Sequence, residues 1–119
     1  MEAKPVTAPR YVGRCINKVA TLCIEWAPVP LSEQNGAGFG YIVEYRKADQ
    51  EDEQWEREEI MNPDITQFVV LVGEINEYTE YDVRVRTKNN KGVGPITEAS
   101  SQRIFSAMGS KLRTYVTTL

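Results

Sequence analysis

An all-β sandwich of two antiparallel sheets is the fold class this sequence predicts, and three observations carry it. Between Tyr81 and Arg86, the apolar Tyr81, Val83 and Val85 alternate with the charged Asp82, Arg84 and Arg86. That is the period-two pattern of a strand with one buried and one wet face. Other short runs of β-branched and aromatic residues recur along the chain, bounded by Gly, Pro and Asn clusters that make turns. No stretch shows the apolar spacing of a helix.

Size and composition fit one such unit. The chain has 119 residues, 41% of them hydrophobic and 26% charged, enough for a single core that needs no metal to hold it. A net charge of -3 offers no broad cationic field for nucleic acid or anionic lipid. No apolar run approaches the roughly 20 residues of a membrane helix, and Met1 to Arg10 lacks the apolar centre of a signal peptide.

Taken in order, residues 1–8 are aperiodic and read as an entry linker whose last residues join a sheet edge. Strand A starts after Pro9, with Val12 inward and Gly13 and Cys15 outward. After a turn at Asn17 to Ala20, strand B places Leu22, Ile24 and Trp26 inward and Thr21, Cys23 and Glu25 outward. Trp26 is expected at the centre of the core. Pro28 and Pro30 stop ladder pairing and open a long loop to Gly40.

Strand C follows, with Tyr41, Val43 and Tyr45 on one face and Ile42, Glu44 and Arg46 on the other. An acidic loop from Lys47 to Gln54 leads to a short strand around Trp55 to Ile60, and Asn62-Pro63-Asp64 is a turn. In Thr66 to Val72, Phe68, Val70 and Val72 point inward and Val69 and Leu71 outward. The step from Ile75 to Tyr81 suits a corner in which the tyrosine ring is buried and its hydroxyl satisfies nearby backbone. Ile75 and Tyr81 therefore join Trp26, Tyr41, Val43 and Val83 as expected core. The last strand is expected over Ile96 to Arg103, running on toward Phe105.

Several of these residues carry a resemblance. Trp26-Ala27-Pro28, Gly40-Tyr41-Ile42-Val43-Glu44-Tyr45-Arg46, Trp55, the Ile75 to Tyr81 corner and the turn Asn89-Asn90-Lys91-Gly92-Val93-Gly94-Pro95 resemble a fibronectin type III domain, an immunoglobulin-like fold. Asn35-Gly36 to Ile42 and the Asn89 to Gly92 turn are similar to domains of neuronal cell adhesion receptors, contactin-like ones first and neurofascin-like ones second. Glu77 stands where that family usually has proline. The resemblance implies a seven-stranded sandwich, sheets A-B-E and C′-C-F-G, over residues 9–106, with 107–119 a tail outside it. It also implies an extracellular, cell-surface, non-catalytic module for cell adhesion. Its partners would be proteins, including neighbouring immunoglobulin or fibronectin domains of a longer chain, and the isolated domain would be a monomer. The same fold would also serve as a structural spacer in a cytosolic muscle-type filament protein.

The inventory of reactive groups points the same way. With no histidine, a Ser/His/Asp or Cys/His nucleophile is impossible and common zinc sets lose their nitrogen ligand. Gly36, Gly38 and Gly40 lack the following helix of a phosphate-binding loop. No cofactor, no metal and no catalytic residue is expected. Asp49 to Glu53 offers carboxylates to calcium, but a solvated acidic loop is the plainer reading.

Candidate contact residues are of three kinds. Arg46, Arg84 and Arg86 share the outward C–F face with Glu44 and Trp55. They form either a protein or glycosaminoglycan contact patch or a cross-strand ladder with Arg–Trp stacking, which such faces commonly use for stability. Val69 and Leu71 are either a lateral contact, with a neighbouring domain or a second copy, or an ordinary exposed pair. Asn89, Asn90 and Lys91 lie in one of three loops (28–40, 61–65, 88–94) expected to cluster at one end of the sandwich.

Cys15 and Cys23 face each other if strands A and B pair about a turn near Val19. That leaves a disulfide or two neighbouring thiols open, while the family usually folds without a bridge. Thr117 and Leu119 match the hydroxyl-then-apolar ending that adds a strand to a PDZ domain, but a linker tail is the simpler reading.

Overall fold

Two antiparallel sheets face each other in a computed structural model that describes residues 3–15, 20–50 and 54–107. Residues 16–19 of the expected turn near Val19, residues 51–53 of the acidic loop and the tail from Met108 lie outside the described residues. The first sheet has the order β1-β2-β5: β1 is Gly13–Arg14, β2 Thr21–Glu25 and β5 Gln67–Leu71. The second has the order β4-β3-β6-β7, with β3 at Gly40–Lys47, β4 at Glu56–Ile60, β6 at Glu80–Asn89 and β7 at Gly92–Val93; β8, Ser101–Phe105, also pairs with β6. These are the A-B-E and C′-C-F-G sheets, with strand G in two pieces. Thr97 and Ser100 exchange capping hydrogen bonds around a 3-10 turn at Glu98–Ser100. That turn delays the main part of G to Ser101, later than the expected start at Ile96.

Alternation decides which side chains meet between the layers. Val12, Leu22, Ile24 and Trp26 from the first sheet pack against Tyr41, Val43, Tyr81, Val83, Val85 and Ile104 from the second. Phe68, Val70 and Val72 are half-buried against this cluster. Each fully buried aliphatic side chain of this kind contributes about 1.5–3 kcal/mol relative to exposure. The Trp26 ring tilts against Tyr41 at 5.3 Å between centroids, and Phe39 meets Tyr41 edge-on at 5.4 Å.

Ile75 corrects the expected core: it is 91% exposed. Gly73, at φ 84, turns the chain out of β5 with a backbone conformation that suits glycine. A single 3-10 turn at Glu74–Asn76 then closes on itself, with the Asn76 N–H donating to the Gly73 carbonyl at 3.1 Å. Asn76 is the residue tied to the body. Its Nδ2 donates to the Val72 carbonyl at 3.0 Å and its carbonyl accepts from Ser106 Oγ at 2.7 Å. In so short a turn, fixing Asn76 inward sends its neighbour Ile75 to solvent.

Tyr81 is buried as expected, at 4% exposure, but its hydroxyl makes no hydrogen bond to backbone among the described residues. Tyr41 takes that role. Its hydroxyl accepts from the Val29 N–H at 3.1 Å and donates to the Pro63 carbonyl at 3.3 Å, tying two loops to the core.

Residues 3–8 do more than lead in. Pro5 and Ala8 are buried, the Thr7 carbonyl accepts from Thr87 Oγ1 at 3.0 Å, and the Ala3 carbonyl accepts from Asn89 Nδ2 at 2.6 Å. The segment is thus laid along β6 from Ala3 onward, where only its last residues were expected to join a sheet edge.

Candidate protein-interaction surfaces

The outward face of the second sheet is built by register. Pairing of β3 with β6 sets Glu44 opposite Arg84 and Arg46 opposite Asp82. Arg84 Nε donates to Glu44 Oε1 at 2.9 Å, Arg46 Nε lies 3.9 Å from Asp82 Oδ2, and Arg103 Nε from β8 donates to Asp82 Oδ1 at 2.8 Å. Trp55, just before β4, lays its ring where both guanidinium groups reach it, at 4.3 Å from Arg46 and 4.0 Å from Arg84. Arg86 is turned aside, with Nε and Nη2 both donating to the Gly94 carbonyl at 3.2 and 3.0 Å. Each of these four arginines is therefore engaged within the domain, which is the geometry of a cross-strand ladder. A partner that drew on Arg46, Arg84 or Arg86 would have to compete with those bonds.

The three expected loop residues part company. Asn89 is 4% exposed, and its side chain bonds the Ala3 carbonyl, the Gln34 carbonyl at 3.0 Å and the Lys91 N–H at 2.8 Å. It pins the entry segment and the β2–β3 loop to β6, a structural position where an exposed contact was expected. Asn90 and Lys91 are exposed. The periodicity that marked β6 could have flagged Asn89, because its parity with Val83, Val85 and Thr87 places it on the inward face.

On the first sheet, β1 and β2 pair Gly13 with Glu25 and Arg14 with Ile24. That register sets Cys15 against Cys23, and a disulfide joins them across a Cα separation of 5.1 Å. Val69 and Leu71 point outward from β5 and are 40% and 75% exposed. Between the sheets' ends, Arg10, Tyr11, Pro28, Val29 and Pro30 line a shallow groove of about 210 Å³. Among the described residues no cluster of acidic or sulfur side chains could hold a metal ion, and no helix is long and apolar enough to cross a membrane.

Burial pushes the phenols of Tyr41, Tyr45 and Tyr81 above the ordinary value of 10.0. For Tyr41, the Val29 N–H and the nearby Trp26 indole partly offset that push; for Tyr45, the carboxylates of Glu56 and Glu58 add to it. Nothing in this pattern is a poised acid or base near neutral pH.

Comparison with known proteins fixes the class. The family model for the fibronectin type III domain matches residues 8–103, and this chain belongs to that family. Its relatives include contactin-3 of Rattus norvegicus, 36% identical over 106 residues, and contactin-5 of Danio rerio, 36% identical over 108. The matches cover 89% and 91% of this chain but 10% of each relative, so the chain spans about a tenth of the length of those relatives. The structure of the chicken CNTN1 FN1–FN3 domains is 32% identical with a TM-score of 0.81, over 90% of this chain and 35% of that one. The third fibronectin III domain of human KIAA0343 protein shares the fold at a TM-score of 0.70 and 24% identity, over 92% of this chain and 89% of that one.

Proposed function

We propose that this chain is a non-catalytic, extracellular protein-interaction and spacer module of a contactin-like neuronal adhesion receptor. One observation supports the compartment: the Cys15–Cys23 disulfide belongs to secreted and cell-surface proteins, because cytosolic thiols are kept reduced. A cytosolic filament spacer would hold two free thiols instead. The likeness to contactins supports the adhesion role, and the absence of histidine together with the engaged charges of the sheet face supports action through surface complementarity. The exposed Asn90 and Lys91 of the β6–β7 turn and the outward Val69 and Leu71 are the contact residues proposed, with proteins or neighbouring immunoglobulin or fibronectin domains as partners. Nucleic acid is not a partner in this reading, and neither is direct insertion into a membrane.

The test is binding of the secreted chain, labelled, to live neuronal and non-neuronal cells. Saturable binding to the neuronal surface, weakened by joint substitution of Asn90 and Lys91 by alanine, is the expected result. Background binding to both cell types would overturn the reading.

A further inference from the structure

A sheet edge is a row of unpaired backbone groups, and proteins usually blunt it with charge, proline, shortness or a cover. Three of the four edges here are blunted. The β4 edge reads Glu56-Arg57-Glu58-Glu59. The β1 edge is two residues long and flanked by the disulfide. The β7–β8 edge is interrupted by Pro95 and the Glu98–Ser100 turn. The fourth, β5, has none of these devices. Gln67-Phe68-Val69-Val70-Leu71 carries no charge, proline or glycine, and no described strand pairs with its far side.

The hydrogen-bond parity says which groups that edge offers. Thr66 accepts from the Trp26 N–H and the Val72 N–H donates to Ala20. Even-numbered residues of this strand therefore bond β2, and the N–H and C=O groups of Gln67, Val69 and Leu71 face outward. The side chains of the same three residues stand on the wet face, two of them apolar.

We propose that the β5 edge is a pairing site for a second copy of this chain, strand to strand and antiparallel about Val69. Two identical strands meeting antiparallel are related by a two-fold axis, so one strand's preferences are met by the other's. Centred on Val69, the pair sets Val69 against Val69 of the second copy and Gln67 against its Leu71, with about six backbone bonds. No charge opposes another charge. Phe68 and Val70, half-buried at the open side of the core, gain cover, and two three-stranded sheets become one continuous sheet. So few residues bury less than the roughly 800 Å² per partner of a standard interface. The pairing is accordingly weak in dilute solution and operates where copies are crowded. The proposal rests on the fold and not on the receptor assignment.

The test is sedimentation equilibrium of the 119-residue chain up to about millimolar concentration, the effective range of tethered copies. The average mass is expected to rise from the monomer toward twice that value. Val69→Lys and Val69→Glu, each placing like charges together across the axis, should stay monomeric, while their equimolar mixture should associate again. Because Val69 already reaches solvent, both variants should melt within a few degrees of the parent. Should either variant fail to fold, Leu71→Lys serves in its place, with the same loss of association expected. A parent chain that stays monomeric, association that survives Val69→Lys, or a mixture that fails to recover would each overturn the proposal. Strand addition by an unrelated peptide without self-association would also overturn it.

Discussion

The guanidinium of Arg84 lies 4.0 Å from the centroid of the Trp55 ring while its Nε holds the Glu44 carboxylate at 2.9 Å. One side chain thus does two things that sequence alone leaves as alternatives for an exposed face: it stacks, and it closes an ion pair across β3 and β6. Glu44 is only 8% exposed, so the pair is better shielded than most surface salt bridges.

Arg84→Ala should therefore act on stability. Losing the stacking contact and leaving a mostly buried carboxylate without its partner is expected to cost about 1–2 kcal/mol. Urea unfolding followed by tryptophan fluorescence measures it. Arg84→Lys should recover part of the loss, since an ammonium restores the charge but not the flat stacking. If Arg84→Ala unfolds at the parent's urea midpoint, the ladder is not structural.

Reducing the Cys15–Cys23 bridge should leave the fold intact but lower its stability by about 2.5 kcal/mol, the loop-entropy value for so short a ring. Intact mass should rise by a pair of hydrogens on reduction, and the thermal midpoint should fall in parallel. The Cys15→Ala, Cys23→Ala double variant should match the reduced protein and lose any response to reductant.

Tyr41→Phe removes one hydroxyl and two bonds. The buried Val29 N–H loses its acceptor and the Pro63 carbonyl its donor, at an expected cost of about 1–3 kcal/mol. Hydrogen exchange should show the change locally, with faster exchange at Val29 and through the Asn62 to Ile65 turn. Uniform acceleration across the domain would mean that the hydroxyl does not tie these loops.

Alkaline pH should weaken the fold. The folded phenols of Tyr41, Tyr45 and Tyr81 titrate above the unfolded value of 10.0, for each of them chiefly because burial disfavours the phenolate. The native state then holds protons that the unfolded chain has already lost, so stability falls as pH rises. This contribution is fully present below pH 10 and is lost as pH passes through the raised folded values. Denaturant midpoints measured across that range should drop, and phenolate absorbance should appear together with unfolding.

What could be read in the sequence was whatever local period or pairing arithmetic determines. Tyr81, Val83 and Val85 had to be inward once β6 was a strand, and Trp26 followed from Leu22 and Ile24. The register of β1 on β2 depends on where the turn sits, and an edge strand slips easily, so the sequence leaves a disulfide and two neighbouring thiols both open. Ile75 could not be read from local period either. Its direction depends on a turn whose shape is set by Asn76 bonding to Val72 and to Ser106, a residue far along the chain. The docking of residues 3–8 is likewise long-range, since the donors that hold it sit on Thr87 and Asn89. The main part of strand G begins late because Thr97 and Ser100 cap a turn, a local signal that apolar alternation overlooks.

Seen as a mechanical element, the Cys15–Cys23 bond changes what a pulling force would find. Tension entering from the amino end would peel β1 only as far as residue 15 before passing through the covalent link into β2, at the middle of its sheet. The loop between the two cysteines would stay shut, withholding roughly 20 Å of contour length from the extending chain. A tether strained at its first strand would thus yield by shearing the sheet's central strand rather than unzipping its rim.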